Sequence, residues 1–129
     1  MSRSNKFCFF VVGLLLLFAP SKLFAQDIQT VTVTVGELSK TQYTFEPKEI
    51  KIKPGKVQFV LVNKPASEAN HNLAVKLKDK EIRLVRATPG QTEKSEIIDL
   101  PAGEYDIYCS FTSGGNHKEK GMAGKLIVK

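Results

Sequence analysis

Sulfur and imidazole are scarce in this chain of 129 residues, which has two cysteines, two methionines and two histidines. One methionine is Met1, and Cys8 lies in an N-terminal segment built like an export signal. Once that segment is removed, only Cys109, Met122, His71 and His117 are left. A lone mature cysteine has no partner within the chain, which excludes an internal disulfide framework. In an oxidising compartment such a thiol is a liability unless it is buried or occupied. Long apolar runs are missing as well. The run from Phe7 to Ala19 stops at Pro20, short of the roughly 20 residues that a spanning helix needs. Nor does helical periodicity extend over ten residues anywhere in the mature part, apart from one turn near Leu38 to Thr41. Linkers, internal repeats and low-complexity tracts are absent. No groove-reading motif or basic stripe marks a nucleic-acid binder.

The N-terminus follows the plan of a cleaved leader. Arg3 and Lys6 precede the apolar run, and a polar segment ends in Leu23-Phe24-Ala25. Residues 1–25 are therefore expected to be removed on export, to a periplasm or outside the cell, leaving residues 26–129 as one domain. Cys8 stands too early, with no small residue before it, to carry a lipid. Loss of Arg3, Lys6 and Lys22 takes the net charge from +6 to about +3. The remaining lysines are spread out, and the densest run, "KLKDKEIR", mixes acids with its bases as solvated faces do.

What is present reads as strands. "TVTVTV" alternates β-branched residues, and "EIKIKPG" alternates apolar with basic ones up to Pro54-Gly55. "KVQFVLVN", "NLAVKL", "EIRLV", "SEIIDL", "EYDIYC" and "KLIV" follow. Short strands at regular spacing with turn signals between them predict an all-β fold, a Greek-key sandwich or barrel. "LPAGEY" fits the tyrosine corner of such sandwiches, with Tyr105 bonding back to the backbone.

Three of the four scarce residues fall in "CSFTSGGNHKEKGM", from Cys109 to Met122. Cys109 ends a predicted strand, Gly114-Gly115 permits a tight reversal, and His117 and Met122 precede the last strand. His71 lies far upstream, but strands distant in sequence are neighbours in a Greek key. Taken singly, each residue has an ordinary explanation as core filler or surface side chain. Together, two imidazoles and a thiolate with a thioether as a weak axial fourth describe a mononuclear blue-copper site. Zinc is the poorer match, because methionine is not among its usual ligands.

The chain resembles the cupredoxin family, the plastocyanins and azurins, over essentially the whole mature domain. "FEPKEIKIKPGKVQFVLVNK", "HNL" and "PAGEYDIYCS" carry the likeness, followed by His117 and "GMAGKLIV". The resemblance implies one type 1 copper per chain, with His71, Cys109, His117 and Met122 as its ligands. It also implies that Asn72 and Ser110 tie the two ligand loops together, and that the Asn72 amide donates to the cysteine sulfur. His117 should reach the surface as the electron door, flanked by Lys118 and Lys120. One departure stands out: seven residues separate Cys109 from His117, where shorter spacers are commoner in the family.

These readings predict an exported, monomeric electron carrier cycling between Cu(II) and Cu(I), with redox proteins docking transiently near His117. They predict no enzyme. A multicopper oxidase or copper nitrite reductase needs further histidines for its other copper centres, and both histidines are already used. The alternatives are a copper-handling protein that binds, stores or delivers the ion through an exchangeable site, and a metal-free sandwich for adhesion or assembly.

Overall fold

The computed structural model describes residues 25–129. The expected leader, apart from Ala25, lies outside the described residues. In chain order the strands are β1 (Gln29–Glu37), β2 (Tyr43–Glu46), β3 (Glu49–Ile52), β4 (Gly55–Asn63), β5 (His71–Leu77), β6 (Lys80–Ala87), β7 (Thr92–Leu100), β8 (Gly103–Tyr108) and β9 (Ala123–Val128). They form two sheets, ordered β2-β1-β4-β7 and β3-β9-β8-β5-β6. The pairs β1–β4 and β3–β9 are parallel and the other neighbours antiparallel. No helix occurs among the described residues. The fold is the all-β Greek-key sandwich that the strand pattern predicts.

The alternation in the sequence sets which faces meet. In β1, Val31, Val33 and Val35 are buried while Thr32 is exposed, as period-two patterning requires. They pack with Val57, Phe59 and Leu61 of β4 and with Leu73, Val75, Ile107 and Leu126 of the facing sheet. Strand β4 breaks strict alternation, since Phe59, Val60 and Leu61 are all buried. Its pairing with β7 shifts register between Gln58 and Val60. The Phe59 N–H freed by that bulge donates to Ser95 Oγ at 2.9 Å, so no buried donor is left unpaired there.

Two local features differ from the sequence reading. Leu38 to Thr41 form a bend, not a helical turn. Ser39 Oγ accepts the N–H groups of Thr41 and Gln42 at 3.3 and 3.1 Å, offering the backbone a partner that competes with helix. Strand β2, "YTFE", has too few residues for alternation to reveal it and is held by pairing with β1.

Tyr105 forms the expected corner. Its hydroxyl donates to the Pro101 carbonyl at 2.7 Å across the turn entering β8. Tyr105→Phe should therefore lower stability by about 1 kcal/mol. Urea denaturation checks this, with the midpoint falling and the m-value unchanged; an unaltered midpoint would mean the bond to Pro101 contributes nothing.

Candidate metal centre

The site is built where three adjacent strands end together. In the order β9-β8-β5, His71 opens β5, Cys109 directly follows β8 and Met122 directly precedes β9. The backbone continues the ladder past the strands, with Cys109 N–H donating to the Met122 carbonyl at 3.0 Å. Met122 N–H in turn donates to the His117 carbonyl at 3.0 Å, and His117 N–H to the Phe111 carbonyl at 3.1 Å. The long spacer is thus a closed loop that returns His117 to the strand ends.

Glycine makes the return possible. Gly121 has φ of +111°, and a Cβ there would sit 2.8 Å from the Tyr43 carbonyl oxygen. At Gly124 a Cβ would meet the Lys48 carbonyl oxygen at 2.6 Å, so Met122 is held between two glycines that allow close backbone approach.

His71, Cys109 and His117 are fully buried, and their potential ligand atoms lie within 4.8 Å of one another. Cys109 Sγ is 3.5 Å from His117 Nδ1 and 4.0 Å from His71 Nδ1, and the two Nδ1 atoms are 3.1 Å apart. Each ring has its other nitrogen committed. His71 Nε2 lies 3.0 Å from Glu37 Oε1, and His117 Nε2 lies 2.9 Å from the Ser113 carbonyl oxygen. Both partners can only accept, so in the neutral rings the proton sits on Nε2 and the Nδ1 lone pairs turn toward each other and toward sulfur. Burial pushes the His71 imidazole below its usual pKa, which favours that neutral form. Burial also pushes the Cys109 thiol up, against the opposing pull of the Asn72 and Phe111 N–H groups. Two lone pairs and a sulfur converging in a dry pocket leave a place that a soft, thiophilic cation fits.

Met122 is fully buried among the same apolar residues as Cys109. Asn72 and Ser110 bond reciprocally: Asn72 Nδ2 donates to Ser110 Oγ at 2.9 Å, and Ser110 N–H to Asn72 Oδ1 at 2.8 Å. The backbone N–H of Asn72 points at Cys109 Sγ, 3.4 Å away.

One expectation is overturned. His117 does not reach the surface but is fully buried, with its Nε2 turned to Ser113 of its own loop. The physical reason is the seven-residue spacer, which folds back over the ring so that the Ser113 carbonyl takes its Nε2 in place of solvent. Tyr43 and Phe111 pack edge-on against His117, with centroids 5.0 and 6.4 Å away. The two lysines accordingly do not flank an open edge. Lys120 Nζ lies 4.8 Å from the centre of the Tyr43 ring and donates to the Gly114 carbonyl, latching the loop. Lys118 Nζ lies 4.4 Å over the Tyr108 ring.

Three residues of this neighbourhood escape sequence reasoning. Glu37 stands 34 positions before His71 and comes from the opposite sheet. Tyr43 touches both imidazole rings. Phe111 carries no signal beyond its place in the ligand loop.

A two-sheet Greek-key sandwich with His, Cys and His converging at one end defines a class, the mononuclear copper proteins. The sequence profile of the cupredoxin-like domain matches residues 7–128, and the chain belongs to the cupredoxins. It is 31% identical over 131 residues to the plastocyanin of Nostoc punctiforme, covering 92% of this chain and 85% of that protein. Among solved structures it superposes on auracyanin A, a blue copper protein from Chloroflexus aurantiacus, with a TM-score of 0.59 at 17% identity. That match covers 80% of this chain and all of the other. The copper nitrite reductase of Nitrosomonas europaea gives a TM-score of 0.61 at 22% identity. It covers 80% of this chain, which spans only 42% of the reductase. Both structural likenesses concern the fold. Copper is the cofactor that family and donor set share.

Proposed function

We propose that the protein is an exported single-electron carrier, with one type 1 copper held by His71, Cys109, His117 and Met122. The observation that carries this reading is the convergence of both Nδ1 atoms and the Cys109 sulfur, 3.1, 3.5 and 4.0 Å apart, each imidazole fixed by its second nitrogen. Copper bound there supplies a one-electron Cu(II)/Cu(I) couple. The chain's contribution is rigidity: the donors stand on strand ends cross-linked by Asn72, Ser110 and the Cys109–Met122 backbone bond. Donors that need not move keep the cost of electron gain and loss small. Asn72 N–H, donating to the sulfur, draws charge from it, and the buried Met122 would supply a weak thioether donor to the bound ion.

A carrier, not an enzyme, is the reading that the residue supply supports. Beyond His71 and His117 the chain has no histidine to build a second copper centre. The loop that covers His117 favours a retained ion over an open, exchangeable delivery site. Residues 1–25 are proposed as the cleaved export signal, with the mature chain monomeric in the periplasm or outside the cell.

Loaded with Cu(II), the wild-type protein should bind one equivalent and show an intense visible absorption from thiolate-to-copper charge transfer. Cys109→Ser should lose the band. Met122→Leu should keep it and raise the reduction potential, because loss of the thioether favours the less charged ion. A wild type that binds Cu(II) without colour would sink the carrier reading, whereas an unmoved potential in Met122→Leu would make Met122 core packing only.

Docking is proposed at this end of the sandwich, where Leu38 is 63% exposed beside Tyr43, and Lys40 and Lys118 bring positive charge. Such a face suits a neutral or acidic partner. Oxidation by an anionic inorganic complex should be faster than by a cationic one of similar potential. The preference should shrink with salt over a screening length of about 10 Å at 0.1 M, and in Lys118→Glu. Equal rates for both complexes would place docking elsewhere.

A further inference from the structure

Glu37 is the last residue of β1, in the sheet opposite His71, and its carboxylate reaches across the end of the sandwich. Its side chain is 15% exposed. Three N–H groups point at its two oxygens. Oε1 accepts from His71 Nε2 at 3.0 Å and from Ala69 N–H at 3.1 Å, and Oε2 accepts from Glu68 N–H at 3.1 Å. Only a carboxylate accepts at both oxygens. An amide in the same place would turn its NH2 against one of the donors. Among the described residues Glu37 pairs with no lysine or arginine, and its one ion-pair partner is the His71 ring. His71 is fully buried and has no other acceptor at Nε2, so the ring's orientation and tautomer are set here.

We propose that Glu37 is a positioning and tuning residue for copper: it holds His71 with Nδ1 facing the other donors and biases the site toward the oxidised ion. This rests on the copper reading above. The sign follows from charge. A carboxylate one hydrogen bond behind the ring strengthens the imidazole as a donor and stabilises the more positive state, so it opposes electron uptake. A residue that merely capped the segment before β5 would accept the same Glu68 and Ala69 N–H groups but leave the redox balance alone.

The test compares copper-loaded wild type with Glu37→Gln, measuring the reduction potential and, by competition with chelators, the Cu(II) and Cu(I) affinities. The visible band should persist in the variant. Its preference for Cu(II) over Cu(I) should fall about tenfold, the scale of effect found when a partner behind a metal ligand is removed. For a one-electron couple that is a rise of about 59 mV. A blue wild type with a variant of identical potential and affinity ratio would reduce Glu37 to a loop cap. A colourless wild type would instead remove the copper reading itself. Should Glu37→Gln not fold, nitrogen-15 NMR of the wild-type Cu(I) form decides: the His71 ring proton should be on Nε2, shifted far downfield and slow to exchange. A His71 Nε2 proton exchanging as freely as an exposed one overturns the assignment.

Discussion

Two imidazole nitrogens face each other 3.1 Å apart beside a buried sulfur, and each ring is denied the option of turning away. Glu37 holds one by its far nitrogen and the Ser113 carbonyl holds the other. Converging lone pairs in a water-poor interior are costly unless a cation joins them, so the surrounding structure must keep them there by force of packing. The rest of the fold near this end can be understood as supplying that force. Strands β5, β8 and β9 lie side by side, the Cys109–Met122 backbone bond extends their ladder, and the reciprocal Asn72–Ser110 pair joins the two donor segments.

The length of the segment between Cys109 and His117 changes what this end of the molecule presents to its surroundings. Folded over His117, the loop substitutes its own carbonyl for solvent and puts Phe111 on one side of the ring, with Tyr43 on another. Lys120 holds the loop through the Gly114 carbonyl and the Tyr43 ring, so its side chain is tied to this end of the sandwich and does not extend freely into solvent. Tyr43, half-buried and in edge contact with both imidazoles, is the ring that lies between the buried site and the exposed Leu38.

Much of this is legible in the sequence. Valines alternating with threonines in β1 can bury only one face, and proline-glycine or proline-alanine-glycine between such runs can only turn, so the sandwich follows from patterning. Tyr105 announced its corner by the glycine and proline before it. The scarcity of cysteine, methionine and histidine made their clustering conspicuous, and Cys109, His117 and His71 do lie together. Short elements were not legible: the four residues of β2 carry too little alternation, and near Leu38 a serine side chain outcompeted the helical turn that spacing alone suggested.

By itself, then, the sequence determined the class of fold and the identity of the scarce donors, because periodicity and residue chemistry are local properties. Which side chains stand behind those donors is not local. Glu37 meets His71 only because β1 and β5 end at the same pole of two different sheets. His117 is buried only because its loop finds a surface formed by Tyr43, Phe111 and Lys120 to close upon. Exposure and hydrogen-bond partners depend on contacts between segments far apart in the chain, and those are decided only when the two sheets pack.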